Sequence, residues 1–412
     1  MHPSIRPAVL LIYLPLVMGH WSLNTLGEAT LTQGASKPEQ QIVASNTNFA
    51  FKLYQILKAD SGNLFFSPFS ITTALSMVLL GAKGGTRSEM ERVMGYSNIP
   101  SIHEHFKRLR TRLTNPGNEY LLRIANRLFG REGFNFNQKY IDDSGRYYDA
   151  PLDLRDFRQT SATTRYINNW VEQQTNNKIV DLLPNNFIDP QLILILVNAI
   201  YFKGTWASKF SESSTLPQPF FTSSFNRVNV PMMFQRQSFP YGTSSLLNCQ
   251  ILELPYHGDA SMVIFLPDQI DDLGHLERSL TSASVVDDAI SSLWDQTVNV
   301  YLPKFKLSDM RLDLKPVLIQ MGMSKMFRVR EADLSGIGGN RGDLFVSKAI
   351  HEAFVDVNEE GTEAAAATAI GVAFESVSVV PDFRADRPFV FLIREKTSGT
   401  VLFMGRVMNP LA

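Results

Sequence analysis

Apolar residues recur at helical spacing in the first half of the chain. The first set with this spacing is Phe49, Leu53, Ile56 and Leu57. Residues 71–80 are apolar enough for a buried helix, and the glycines between residues 81 and 85 are expected to end it. Thr86 and Glu89 then fit a capping box, which predicts the start of another helix.

Longer apolar runs with strand character occupy the second half. Residues 192–202 are apolar except for Asn198, which predicts a strand buried on both faces. Shorter predicted strands are residues 251–254, 262–266, 298–302 and 390–393, many of them bounded by Pro, Gly or Asp. Helices early and strands late predict an α+β fold with a large, mostly antiparallel sheet.

Residues 361–375 fit two different structures. Four consecutive alanines at 364–367 have high helix propensity. Alternate residues, however, are all small or apolar and would share one face of a strand: Thr362, Ala364, Ala366, Thr368, Ile370, Val372 and Phe374. No proline occurs between residues 361 and 380, so a backbone ladder can form along the whole segment. The pattern predicts a bistable segment, which is a loop or helix in one state and a central strand in another.

Composition excludes several classes of protein. The chain has 412 residues, 44% of them hydrophobic, with 39 Lys+Arg against 40 Asp+Glu. This balance argues against binding to nucleic acid or to a membrane surface through bulk positive charge. Cys249 is the single cysteine, so no disulfide can form within the chain, and the apolar run after it predicts a buried residue. Residues 46–412 contain no repeat or linker and are expected to form one domain.

The N-terminal residues predict secretion. Residues 8–18 are apolar or aromatic without interruption, a stretch too short to span a bilayer as a helix. Val17 and Gly19 supply the small residues of a cleavage site. We expect residues 1–19 to be a signal peptide, residues 20–45 to be a polar tail without packed structure, and the protein to be secreted and extracellular.

Motifs of common enzymes are missing from the sequence. Gly-x-Ser-x-Gly does not occur, and the pair His351-Glu352 lacks a second histidine four residues on, where Val355 stands. With one cysteine and seven histidines, the spacing suggests no metal site. We therefore expect no catalytic residue and no cofactor.

Five blocks of sequence, in order, resemble the serpin family of serine protease inhibitors over residues 48–410. The blocks are residues 63–70, 198–206, 302–305, 386–389 and 405–407, and residues 359–363 with the alanines after them are similar to the hinge of inhibitory members. The resemblance implies three β-sheets, about nine helices, an exposed reactive-centre loop at about residues 361–384, and a monomer.

The resemblance also implies a single-use inhibitor. A serine protease attacks the loop as a substrate and forms an acyl-enzyme, and the hinge half of the loop then inserts into the large sheet. The implied hinge residues are Glu359, Gly361, Thr362, Glu363, Ala364, Ala365, Ala366, Ala367 and Thr368. The alternative is a non-inhibitory serpin that acts as a carrier, storage protein or chaperone, and such relatives often carry charged or bulky hinge residues.

Two polar groups are implied to hold the sheet closed. The family's shutter, a hydrogen-bonded cluster under the centre of the sheet, corresponds to Ser67, Ser70, Asn198 and His351. An ion pair at the top of the sheet, near Trp206, corresponds to Glu359 and Lys304.

The position of the scissile bond decides the target protease. Counting from Gly361 as in similar inhibitors places this bond between Glu375 and Ser376. A protease that accepts Glu needs a basic pocket, because a buried carboxylate without a partner is strongly penalised. This favours a protease that cleaves after Glu or Asp. The alternative bond after Phe374 suits a chymotrypsin-like protease, and a bond after Ala373 or Val377 suits an elastase-like one.

A basic helix is predicted over residues 103–113. Its buried stripe is Phe106, Leu109 and Leu113, and its other faces carry Lys107, Arg108, Arg110 and Arg112. Heparin-activated serpins carry a basic helix here, so the resemblance suggests a sulfated glycosaminoglycan as activator. Glu104 and Glu119 interrupt the positive charge, which favours an ordinary solvated helix face instead.

Overall fold

The computed structural model of the chain describes residues 36–362 and 380–412. These residues form nine α-helices: α1 (Lys37–Leu57), α2 (Pro68–Gly81), α3 (Gly84–Met94), α4 (Ile102–Leu113), α5 (Gln138–Tyr148), α6 (Thr160–Gln174), α7 (Leu273–Ser279), α8 (Ala283–Ser291) and α9 (Leu314–Gln320). The first six helices all end before residue 175, in agreement with the predicted helix-rich first half.

Sixteen strands complete the described part of the chain. They are β1 (Leu64–Phe66), β2 (Leu121–Arg131), β3 (Asp153–Arg155), β4 (Leu194–Thr205), β5 (Leu216–Ser223), β6 (Asn226–Ser244), β7 (Cys249–Pro255), β8 (Ala260–Pro267), β9 (Trp294–Pro303), β10 (Phe305–Leu307), β11 (Leu312–Asp313), β12 (Lys348–Asn358), β13 (Gly361–Thr362), β14 (Asp382–Arg384), β15 (Phe389–Glu395) and β16 (Val401–Val407).

Nine of these strands form one hydrogen-bonded network in the order β1-β16-β15-β8-β7-β6-β9-β14, with β5 beside β6. Its pairs are antiparallel except for β14 with β9. The 19-residue β6 pairs with β5 and β9 over most of its length and with β7 at its end, so it continues from one group of strands into another. The predicted α+β fold with about nine helices is confirmed, and β6 joins what were predicted as separate sheets.

The second network has the order β10-β12-β13-β4-β2-β3, with β11 beside β12. Its centre is β4, which pairs antiparallel with β2 and parallel with β12 over Ile195 to Tyr201. The two faces of β4 contribute to two separate hydrophobic clusters, which explains why its residues are apolar almost without interruption. The strand predicted at residues 192–202 is therefore present as β4.

Helix α2 lies under this second sheet. All of its residues except Leu80 are buried, and it contacts β4, β2 and β16. Ser67 caps its N-terminus by accepting a hydrogen bond from the Ser70 backbone N–H, and Pro68 occupies the first turn, where its missing N–H leaves no bond unmade. The buried helix predicted at residues 71–80 is thus confirmed, with its start at Pro68.

The predicted polar tail is too long. Helix α1 begins at Lys37, where Ser36 and Glu39 form a capping box, and Ile42 and Val43 are buried. The prediction for residues 37–45 is wrong, because these two apolar residues extend the buried stripe of α1 towards the N-terminus. Residues 1–19, predicted to be a signal peptide, and the rest of the predicted tail lie outside the described residues.

Thr86 and Glu89 do not cap a helix. Helix α3 begins at Gly84, two residues before Thr86. The Thr86 hydroxyl accepts a hydrogen bond from the Asp333 N–H, and the Glu89 carboxylate accepts bonds from the N–H groups of Ser324 and Lys325. Both side chains hold the distant segment 324–333 in place, a use that local sequence cannot reveal.

Cys249 is buried, and burial raises the pKa of its thiol to about 12. Among residues 36–362 and 380–412, no helix combines the length and apolar character needed to cross a membrane. The same residues contain no group of three or more His, Cys, Asp and Glu side chains arranged to bind a metal.

Candidate functional site

The sheet opens at one end, where β12 and β4 separate. The two residues of β13 lie between them: Thr362 pairs with Val357 of β12 and with Gly204 of β4. Thr362 is fully buried, and its hydroxyl lies 2.8 Å from the hydroxyl of Tyr256. The first residues of the segment predicted to insert are therefore already paired on both sides.

Gly361 is required by the close approach of β13 to β4. Its φ is +145°, a conformation that residues with a side chain rarely adopt. A Cβ atom at this position would lie 2.1 Å from the Gly204 carbonyl oxygen and 2.8 Å from the Thr205 Cα. A larger residue here would push β13 out of the gap between the strands.

Two ion pairs hold the turn between β12 and β13. Glu359 is buried, its carboxylate lies 2.7 Å from the Lys304 ammonium group, and it accepts a hydrogen bond of 2.8 Å from the Thr215 hydroxyl. Burial raises the pKa of Glu359, but these two partners outweigh it and hold the pKa below its usual value. The adjacent Glu360 pairs with Lys209.

Aromatic side chains cover this end of the gap. The rings of Trp206 and Tyr256 stack 4.4 Å apart and nearly parallel, and Trp206 donates a hydrogen bond from Nε1 to the Asn358 carbonyl. Backbone bonds from Trp206 N–H to the Glu360 carbonyl and from Phe210 N–H to the Glu359 carbonyl complete the contact. The predicted contacts of Glu359 with Lys304, near Trp206, are all present in one cluster.

The four predicted shutter residues meet at the middle of the same strand pair. All four are fully buried. His351 of β12 lies opposite Asn198 of β4, and its Nδ1 contacts the Asn198 side-chain oxygen. The His351 Nε2 accepts a hydrogen bond of 3.0 Å from the Ser67 N–H, while the Ser67 hydroxyl donates to the Leu402 carbonyl. Asn198 donates to the Ser70 hydroxyl, so the cluster ties β12 and β4 to α2 and β16.

These contacts determine the protonation of His351. Because Nε2 accepts the Ser67 N–H, the ring carries its single proton on Nδ1 and donates it to Asn198. Complete burial lowers the pKa of His351 to about 3, so the ring is neutral at physiological pH. A second proton would replace the Ser67 bond with a repulsion between two donors.

Comparison with known proteins decides the family. The family model described as Serpin (serine protease inhibitor) matches residues 44–410. The chain belongs to the serpin family. It is 42% identical to the leukocyte elastase inhibitor of Sus scrofa over 383 residues and 40% identical to that of Homo sapiens over 380 residues, each alignment covering 90% of this chain and 100% of the relative. The crystal structure of Serpin48, a highly specific serpin of the insect Tenebrio molitor, superposes with a TM-score of 0.82 and 34% identity, covering 91% of this chain and 99% of that one.

The family resemblance read from five sequence blocks is thereby confirmed. This serpin is a protease inhibitor rather than an enzyme, since its relatives inhibit serine proteases.

Sequence reasoning missed one member of the shutter. Asn126 of β2 accepts hydrogen bonds from the Ser70 hydroxyl and from Asn198 and donates one of 3.2 Å to the Ser70 carbonyl. A signal was available, because Asn126 stands among buried residues of a strand in the same way as Asn198 of β4. Thr215, Tyr256 and Lys209 were missed as well, and no local pattern marks them, because they reach the hinge from 106 to 151 residues away.

The four cations predicted to bind a glycosaminoglycan lie on α4 but do not form one surface. Arg108 is exposed and contacts Glu39 and His105. Lys107 and Arg112 are half-buried, and the side chain of Arg110 turns inward, where burial lowers its pKa. This arrangement favours the ordinary solvated face over a heparin site.

Several predicted site residues lie outside the described residues. They are the scissile residues Glu375 and Ser376, the alternative Phe374, and the hinge residues Glu363, Ala364, Ala365, Ala366, Ala367 and Thr368.

Proposed function

We propose that this serpin traps a serine protease by inserting its reactive-centre loop between β12 and β4. The observation that carries the proposal is the position of β13, which already pairs Thr362 with both strands at the top of the gap. Beside it the two long strands are parallel, so a strand entering antiparallel to both would find backbone partners on each side.

The register of β13 indicates where an inserted loop would lie. Thr362 pairs with Val357 and Gly204, so continuing the antiparallel ladder by six residues brings Thr368 opposite both His351 and Asn198. Insertion would then break the His351–Asn198 contact and offer a threonine hydroxyl in its place. The shutter would thus hold the native sheet closed and receive the inserted strand.

Charge and size along the loop agree with this function. In the extended register, even-numbered residues share the inward face of Thr362, and they are Ala364, Ala366, Thr368, Ile370, Val372 and Phe374. The odd-numbered Glu363 would face away from the helix α2 side of the sheet. It would lie opposite Asp356 and Lys203, which are both half-buried. No charged residue would therefore enter the cluster on the α2 side, which argues against the non-inhibitory alternative.

The proposed scissile bond is Glu375–Ser376, with a protease that cleaves after Glu or Asp as the target. A second target class is an elastase-like protease, because relatives at 40–42% identity are named leukocyte elastase inhibitors. Such an enzyme would cut after Ala373 or Val377, while a chymotrypsin-like enzyme would cut after Phe374. We also propose that residues 1–19 direct secretion, in keeping with their position before the matched residues 44–410.

The test is a panel of three proteases that cleave after acidic, large aromatic and small aliphatic residues. We expect one of them to form an SDS-resistant covalent complex with the full-length chain, and N-terminal sequencing of the released fragment to begin at Ser376. A fragment beginning at residue 374 or 378 would move the target to the elastase class. Cleavage by all three proteases without any covalent complex would refute inhibition by trapping.

The residue before the cut should control which protease is trapped. Glu375→Arg is expected to direct the inhibitor to trypsin-like proteases, whose acidic pocket pairs with a guanidinium group. The measurement is the second-order rate of complex formation with trypsin, with Glu375→Gln as the variant that removes the carboxylate alone. Cleavage of the Arg variant at residue 375 without complex formation would contradict this account of specificity.

A further inference from the structure

A small cavity lies beside the sheet, where α2, α4, β2, α5 and α6 meet. Its volume is about 80 Å³. A single water needs roughly 10–15 Å³, so the cavity has room for several waters or for one compact polyatomic ion. Its lining includes one carboxylate, that of Asp149, and the side chains of Thr73, Arg110, Asn126, Arg127, Tyr148 and Trp170.

Two guanidinium groups from different elements line this cavity. Arg110 comes from α4 and Arg127 from β2, and their side chains are only 18% and 22% exposed. In each of them Nε is buried without a hydrogen-bond partner among the described residues. Each guanidinium group also carries further N–H donors, so a cavity lined by two arginine residues is suited to a guest that accepts hydrogen bonds.

The acidic neighbours leave much of this positive charge unmatched. Arg110 lies 3.9 Å from Asp149, whose side chain is 84% exposed and therefore weakly paired. Arg127 lies 3.3 Å from Asp153, a carboxylate that it shares with Arg155 at 2.8 Å. The guanidinium of Arg127 also stacks on the ring of Trp170, with 4.5 Å between them, which fixes its plane.

We propose that this cavity binds a small tetrahedral oxoanion, phosphate or sulfate. Arginine pairs are suited to such ions because each planar guanidinium offers several N–H donors to the oxygens of the ion. Thr73 and Tyr148 add hydroxyl groups to the lining, and the cavity volume fits a single ion of this size.

A bound oxoanion would also touch the shutter. Asn126 lines the cavity and at the same time holds Ser70 and Asn198 through its side-chain oxygen. A ligand that binds the native state stabilises it in proportion to its occupancy. Phosphate or sulfate should therefore stabilise the part of the sheet that the shutter holds together.

The experiment is a titration of the full-length protein with sodium phosphate and sodium sulfate at constant ionic strength, with chloride as the reference salt. The first readout is the fluorescence of Trp170, identified by comparison with Trp170→Phe, and the second is the melting temperature. We expect a saturable change in both readouts with phosphate or sulfate and none with chloride. Arg110→Gln should weaken binding at least about tenfold, since it removes charge-assisted hydrogen bonds while leaving the Arg127–Trp170 stack in place.

Three further variants make the result decisive. Arg328→Gln removes an exposed arginine that pairs with Glu331 and does not line the cavity, so this variant should bind as the wild type does. Arg110→Lys keeps the charge but loses the fork of donors, so binding should be intermediate. Arg108→Gln, tested with a sulfated polysaccharide, reports on binding to the exposed face of α4.

Two outcomes would overturn the proposal. One is that phosphate and sulfate cause no response up to about 50 mM, or cause the same response in Arg110→Gln as in the wild type. The other is a response to the polysaccharide alone that disappears in Arg108→Gln but not in Arg110→Gln, which would place the anion on the helix surface.

Discussion

At the scale of single residues, His351 makes the stability of the sheet depend on pH. Its pKa is about 3 in the folded chain against about 6.5 when unfolded, so its contribution to stability is complete above pH 6.5 and declines as the pH falls towards 3. Between pH 6.5 and pH 5 the free energy of unfolding should therefore fall by about 2 kcal/mol. We expect His351→Gln to be less stable than the wild type at pH 7.5, with a difference that shrinks at pH 5.

Urea unfolding at the two pH values measures this difference. The control is His257→Gln, which removes an exposed imidazole and should leave the pH dependence of unfolding as it is. An unchanged gap between wild type and His351→Gln at both pH values would mean that the ring can be protonated without breaking its contacts.

The neighbouring Glu352 has the opposite pH dependence. It is 6% exposed. Burial and the negative charge of Asp309 raise its pKa to about 7, although the positive charge of Arg311 lowers it. A carboxyl whose folded pKa is raised contributes stability that is complete below its unfolded pKa of about 4.5 and lost as the pH rises through 7. Glu352→Gln should therefore stabilise the protein at pH 8 by up to about 3 kcal/mol and have little effect at pH 5.

The matched variant for this prediction is Glu331→Gln, an exposed carboxylate paired with Arg328. Unfolding free energies at pH 5 and pH 8 separate the two cases, because only the buried carboxyl should show a gain confined to high pH. A loss of stability in Glu352→Gln at pH 8 would mean that the ionised carboxylate has a favourable partner.

Residues of the shutter and of the hinge were predicted from the sequence to different degrees. Ser67 and Asn198 were found because each stands in a block that resembles the family, and His351 was found because the same resemblance implies a shutter residue there. Tyr256 and Thr215 gave no such signal. Their partners, Thr362 and Glu359, lie more than 100 residues further along the chain, and only the folded sheet brings them together.

At the scale of elements, β13 allows the insertion mechanism to be tested by one substitution. Thr362 is fully buried between β12 and β4, where an arginine side chain would have neither room nor a counter-charge. Thr362→Arg should abolish covalent complex formation while the loop is still cut at the same bond. Thr362→Ser, which keeps the hydroxyl near Tyr256, should inhibit normally; full inhibition by the arginine variant would contradict insertion between these strands.

Elements with a strong hydrophobic pattern were predicted well, and elements defined by distant contacts were not. Helix α2 and strand β4 are buried on nearly every side, and their long apolar runs made both elements recognisable in the sequence. The start of α1 was misplaced because polar residues surround Ile42 and Val43. The parallel pairing of β12 with β4 could not be read from the chain, since it joins strands about 150 residues apart.

At the scale of the whole molecule, we expect cleavage of the loop to add a strand between β12 and β4. If residues 363–374 enter between β12 and β4, Ile370, Val372 and Phe374 each contribute roughly 1.5–3 kcal/mol by burial, in addition to new backbone hydrogen bonds. At about 2 °C for each kcal/mol, the melting temperature of the cleaved chain should rise by at least about 10 °C.

The measurement is calorimetry of the protein before and after cleavage within the loop by a protease that it does not trap. Thr362→Arg, cleaved in the same way, should show no rise, because its loop cannot enter the sheet; an equal rise in both proteins would mean that the gain in stability comes from somewhere other than the gap between β12 and β4.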